Sequence, residues 1–171
     1  MKRRAFVPSA PAALEERIAL SHPGLAAAVA LQHHVSPAPK LTLRGLVGGT
    51  DTTSGSKHQL KATGATLSPL GTVSLSGDVV IPTTGGTSRP VHGTVTLANS
   101  KGTITVELSG TVSPLPFPDF TAYSGNLTYK IVSGTRAYLH ATGTGSVTFG
   151  PGPAVVAGRF MLDFGGYPPP P

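Results

Sequence analysis

Across residues 41–164 the chain repeats one pattern: short runs in which apolar residues alternate with Thr or Ser, each closed by a Gly-rich turn. In Gly102-Thr-Ile-Thr-Val-Glu-Leu-Ser-Gly-Thr-Val112, Ile104, Val106 and Leu108 fall on one face. Thr105, Glu107 and Ser109 fall on the other, because successive strand side chains point to opposite sides of a sheet. A period of two sustained over this length specifies an antiparallel sheet with one buried face.

Alternation and turn signals together predict eight strands, over residues 40–48, 57–67, 71–81, 89–98, 102–112, 121–133, 137–149 and 154–164. The links between them are short and rich in Gly, Ser or Pro, such as Ser68-Pro69-Leu70, Thr83-Thr84-Gly85-Gly86, Asn99-Ser100-Lys101 and Gly150-Pro151-Gly152-Pro153. Short links join neighbouring antiparallel strands, which makes a meander. Eight such strands with one apolar face close into an up-and-down barrel; a two-sheet sandwich would need longer crossings. Gly77, Gly93, Gly110, Gly125, Gly143 and Gly145 interrupt the strand patterns and mark bends or close backbone approach. The predicted interior comprises Val73, Leu75, Val79, Ile81, Val95, Leu97, Ile104, Val106, Leu108, Leu127, Tyr129, Ile131, Val147, Phe149, Phe160, Leu162 and Phe164.

The rest of the chain divides into a leader, residues 1–40, and a tail, residues 166–171, around the barrel domain of residues 41–165. Residues 11–20 carry weak helix signals, with Pro11 early and Glu15 and Glu16 in the first turns. Residues 25–31 are apolar but far too short to cross a membrane, and Glu15, Glu16 and Arg17 separate them from Lys2-Arg3-Arg4. A disordered or weakly helical leader is the physical expectation, and the run Pro168 to Pro171 reads as a solvated tail.

Composition narrows the function. The net charge is +6, but residues 1–44 hold six basic and two acidic residues, or +4, which leaves seven against five, or +2, for the body. A basic leader on a near-neutral body is no footprint for nucleic acid. Charged residues make up only 12% of the chain, so Thr and Ser must supply the polar surface, a habit of extracytoplasmic β-proteins. The absence of cysteine removes disulfides, thiolate metal sites and a Cys nucleophile.

Two resemblances add to this reading. Leu14-Glu15-Glu16-Arg17-Ile18-Ala19-Leu20-Ser21 resembles the LEPR-XLL type of bacterial leader motif, with Glu16 where the usual pattern has Pro. That resemblance implies export or attachment at the cell surface. Tyr129-Lys-Ile-Val-Ser-Gly134-Thr135-Arg136-Ala-Tyr138-Leu-His-Ala141-Thr-Gly143-Thr-Gly145 resembles the Gly-Thr-Gly hairpin of allene oxide cyclase and dirigent-type barrels, with Arg136 in place of the second Gly. Uncharacterised bacterial proteins with the same small barrel share the Ser68-Pro69-Leu70-Gly71 turn and a turn like Leu97 to Gly102. The resemblance implies a barrel over about residues 57–164, and either isomerisation in an apolar interior or positioning of radicals. The functional acids of those families have no matching residues here.

Few side chains carry chemistry. Glu107, Asp78 and His140 fall on the polar face; Arg159 and Asp163 share that face as a surface pair or a barrel rim. His33-His34 has no acidic partner, and Asp51 lies in a Gly- and Thr-rich loop too poor in carboxylates for calcium. Asn126-Leu127-Thr128 fits a glycosylation acceptor in a bacterial-looking chain, where it is incidental. No nucleophile elbow, phosphate loop or dinucleotide fingerprint occurs.

The sequence therefore predicts an all-β, eight-stranded antiparallel barrel, exported or surface-associated. It acts as a structural or small apolar ligand-binding module without a cofactor, metal, nucleic-acid partner or transmembrane segment. Tyr123, Tyr129, Phe149 and Phe160 are the candidate residues for a ligand space inside the barrel. The alternative is a cyclase- or dirigent-like isomerase acting on an apolar small molecule in that space.

Overall fold

Eight strands follow one another along the chain, and each pairs antiparallel with its sequence neighbours until the last meets the first. They are β1 (Gly45–Ser54), β2 (Lys57–Leu67), β3 (Gly71–Val80), β4 (Arg89–Asn99), β5 (Gly102–Pro116), β6 (Thr121–Gly134), β7 (Thr144–Gly150) and β8 (Arg159–Phe164). The computed structural model describes residues 37–152 and 154–165. The helix signal at residues 11–20, the leader motif, His33-His34 and the proline tail lie outside the described residues.

The barrel closes where Gly45 pairs with Phe164 and Thr50 with Arg159. Closure removes the edge strands that a sheet this rich in Thr would otherwise expose. All seventeen residues predicted for the interior are buried. Tyr129, Phe160, Phe164, Leu60, Ile104 and Leu108 are the large side chains buried in the barrel interior. Each fully buried side chain of this size contributes about 1.5–3 kcal/mol relative to exposure. The outer wall carries Thr, Ser, Lys61, Glu107 and Lys130, an apolar-in, polar-out arrangement opposite to that of a membrane barrel. No helix among the described residues is long and apolar enough to cross a membrane.

Strand glycines let the barrel wall coil. Gly77 and Gly93 sit on paired strands, and a Cβ on Gly77 would meet Val95 Cα at 2.5 Å. Gly145 leaves the space that the Tyr129 ring fills: a Cβ there would lie 2.6 Å from Tyr129 Cε1. The two ends of the barrel differ. At one end Leu43, Leu67, Leu70 and Tyr138 pack as a floor, and Leu43 N–H donates to the Tyr129 hydroxyl at 2.8 Å. Asn99 Nδ2 ties that floor together through Leu70 O at 2.7 Å and Tyr138 Oη at 2.8 Å. The other end collects the links β1–β2, β3–β4, β5–β6 and β7–β8, because a meander sends alternate turns to the same end.

Four strands depart from the sequence reading by four residues or more, and β5 does so by running on to Pro116 instead of ending at 112. β1 runs over Gly45–Ser54, not 40–48, because Gly48 and Gly49 are strand and not turn. A Cβ on Gly49 would strike the Lys61 carbonyl, so glycine is what permits the pairing of β1 with β2. β7 begins at Thr144, not at 137, because Arg136–Tyr138 forms a 3-10 turn with Arg136 at φ 52° and His140 at φ 61°. β8 begins at Arg159, not at 154, because the link stays irregular, with Val155 N–H turned back onto Gly152 O at 2.8 Å.

Candidate functional site

The inward side of β1 reads Val47, Gly49, Asp51, Thr53, and that of β2 reads His58, Leu60, Ala62. The hairpin register sets Thr53 opposite His58 and Asp51 opposite Leu60. Period two therefore aims two polar side chains from β1 and one from β2 into the loop-bearing mouth of the barrel. The apolar pattern resumes one residue pair deeper.

His58 Nδ1 lies 2.8 Å from Asp51 Oδ2 and 3.3 Å from Thr53 Oγ1. A carboxylate only accepts, so Nδ1 carries the hydrogen and donates it to Asp51. Nε2 makes no hydrogen bond to a described residue. The pair is deeply placed, with side-chain exposures of 4% for His58 and 12% for Asp51. His58 is the one buried polar residue among those described. Asp51 Oδ1 is sealed from solvent and has no hydrogen-bond partner among the described residues. Buried polar atoms are nearly always paired, so an orphan carboxylate oxygen marks a place not optimised for stability alone.

Tyr123 from β6 packs edge-on against His58, with ring centroids 5.5 Å apart at 88°. Its hydroxyl accepts from Arg89 Nη1 at 3.1 Å, and the same nitrogen donates to Pro82 O at 3.0 Å. These contacts hold the Tyr123 ring upright beside the histidine and link β6 to the β3–β4 end. Asp51 N–H donates to Gly158 O at 2.9 Å, which pins the β7–β8 link beside the same hairpin.

Between these groups lies a cavity of about 140 Å³, lined by Asp51, Thr53 and His58 on one side. Phe120, Ala122, Tyr123, Phe149, Val156 and Arg159 are among the residues on the other. Its size is close to the roughly 150 Å³ of an apolar cavity that admits benzene, and below the ~300 Å³ at which pockets for drug-sized ligands begin. The wider depressions are shallow and lie along strand glycines such as Gly48, Gly49 and Gly145. Those are grooves left by missing side chains on the wall.

Of the four residues expected around a ligand space, Tyr123 and Phe149 line this cavity. Tyr129 and Phe160 lie in the core: Tyr129 packs edge-on to Phe164 at 5.5 Å, and Phe160 is buried on the inner face of β8. Glu107 and His140 are exposed, as their parity predicts. Asp78 forms an ion pair with Lys57 at 2.9 Å, with both side chains well exposed, which stabilises little. No ion pair joins Arg159 to Asp163, and Arg159 instead lies on the rim of the mouth. Asn126 is exposed, its Oδ1 accepting from Thr148 Oγ1 at 3.4 Å. Among the described residues no three His, Cys, Asp or Glu side chains gather where they could hold a metal ion.

Asp51 corrects the sequence reading: it belongs to a strand and faces inward, not to a flexible loop. Its partner His58 is the residue that sequence reasoning missed. The signal was present in parity, because His58 shares a face with Leu60 and Ala62, which places it inside. Comparison with protein-family models, with curated proteins and with solved structures finds no match to this chain.

Proposed function

We propose that this chain is a small-ligand-binding barrel whose site is the mouth cavity between the β1–β2 hairpin, β6 and the β7–β8 link. One observation carries the reading: the cavity of about 140 Å³ has the buried His58–Asp51 pair in its wall. Polar groups buried without full satisfaction are costly, and a ligand site is where folds tolerate that cost. The cavity lining mixes Phe120, Tyr123 and Phe149 with Asp51, Thr53, His58 and Arg159. The volume limits the buried part of the ligand to about one six-membered ring.

Titration of the full chain with benzene, followed by amide and methyl NMR shifts, tests this. Shifts confined to Tyr123, Phe149, His58 and their neighbours support it. The absence of shifts there, or shifts centred on the outer wall, contradicts it.

A second reading, the cyclase- or dirigent-like isomerase, is favoured by the same pair. A neutral imidazole oriented by a carboxylate is a common general base, and isomerisation needs proton transfer without a cofactor. The hairpin resemblance at residues 129–145 supports that class, while the small cavity supports binding of a compact substrate only. Export or surface attachment rests on the leader motif and the hydroxyl-rich wall, and cell fractionation of the native protein tests it.

A further inference from the structure

We infer that the outer wall along the seam of β1 and β8 is a self-complementary face, on which a second copy of this chain docks about a two-fold axis at Met161. Period two puts Arg159, Met161 and Asp163 in a row on the outside of β8, while Phe160, Leu162 and Phe164 point inward. Positive, apolar and negative therefore follow in order. The two charges stand about 13 Å apart along the strand, too far to meet within one chain. Neither forms an ion pair among the described residues, and Asp163 is half-buried. Met161 stands between Gly48 on β1 and Gly150 on β7. A Cβ on either glycine would meet nothing closer than 3.8 Å, so the methionine is a ridge with a notch on each side.

Leu46 and a depression complete the pattern. Leu46 is 50% exposed and pairs with Asp163, at one end of the row. The depression, lined by Gly48, Gly152, Ala154 and Val156, includes Arg159, at the other end. A two-fold axis lying across β8 turns the second copy's strand antiparallel to the first. Arg159 of one copy then faces Asp163 of the other, and Leu46 of one faces the other's depression. The two methionines meet at the axis, where the glycine notches leave room for both. Each contact occurs twice, as an isologous interface requires. A parallel arrangement would set like charges against each other, so the charge order selects the antiparallel one.

Sedimentation of the full chain over a concentration series, at low and high salt, tests this face. The expected result is a dimer that weakens as salt rises. Arg159→Asp and Asp163→Arg each set like charges against each other at both contacts, and each alone is expected to weaken the dimer by at least about tenfold. Mixed in equal amounts, the two variants restore opposite charges at both contacts and should form a mixed dimer as tight as the wild type. Arg159→Asp together with Asp163→Arg in one chain reverses the charge order, keeps the complementarity and should dimerise too. Mixing cannot repair a folding defect, so recovery reads the interface alone. A chain that stays monomeric at every concentration overturns the proposal. A dimer that both single reversals leave intact lies on another face and overturns it equally, as does weakening without recovery on mixing.

Discussion

Asp51 Oδ2 and His58 Nδ1 face each other at 2.8 Å across a hairpin whose turn, Ser54 to Lys57, points out of the barrel mouth. Seven residues of sequence separation become a buried hydrogen-bonded contact because both side chains take the inward parity of their strands. The pair sits directly above an apolar interior that is already full, so whatever it does, it does at the mouth.

The pair should behave as one unit in stability. His58→Leu leaves the Asp51 carboxylate buried without its donor and is expected to cost about 3 kcal/mol, since breaking one partner of a buried pair is the costly step. Replacing both, as in Asp51→Leu with His58→Leu, removes the orphan charge. Urea unfolding should find the double variant more stable than His58→Leu alone.

At the floor of the barrel, Tyr129→Phe removes the acceptor for the buried Leu43 N–H. The loss of that bond is expected to cost about 1–3 kcal/mol, with the fold retained, because a buried donor left unpaired bears its full desolvation penalty. A shift of the unfolding midpoint without a change in slope is the signature to measure.

Glycines that look alike in sequence should differ sharply under substitution. Gly77→Ala places a methyl group against the β4 backbone, 2.5 Å from Val95 Cα, and is expected to cost more than about 2 kcal/mol through overpacking. Gly86→Ala meets no atom within 4 Å in the β3–β4 link and should change stability by less than about 1 kcal/mol. Thermal unfolding of the two variants side by side checks the contrast.

Core truncation should be felt throughout. Leu108→Ala on β5 removes a fully buried side chain from the middle of the barrel and is expected to cost about 2–5 kcal/mol. A markedly smaller loss would show that the interior is looser than its burial indicates.

These contrasts also explain what the sequence made legible. Alternation identified the interior from Val73 to Phe164 because each of those residues obeys a parity that neighbouring strands share. It misplaced β1, where Gly48, Gly49 and Thr50 offer no apolar rhythm, and pairing with Lys61 rather than local pattern defines the strand. It also extended β7 backwards to residue 137, into a segment where Arg136 and His140 adopt positive φ that no propensity signals. The pairing of Asp51 with His58 escaped notice for a related reason. Each is an ordinary residue in its own segment, and only the register of the hairpin joins them. Tyr123 and Phe149 were legible as interior aromatics, but their meeting at the mouth depends on β6 and β7 ending at the same barrel rim.

The central claim, that the barrel is solid in its middle and open to a ring-sized guest only at its mouth, is tested most directly by crystallography under xenon pressure. Xenon fills apolar cavities of this size without needing a specific donor or charge. The account predicts one ordered xenon beside Phe149 and Tyr123, within reach of the His58 ring, and none around Tyr129, Leu108 and Phe164. Xenon in the barrel centre, or a mouth that stays empty, would contradict it.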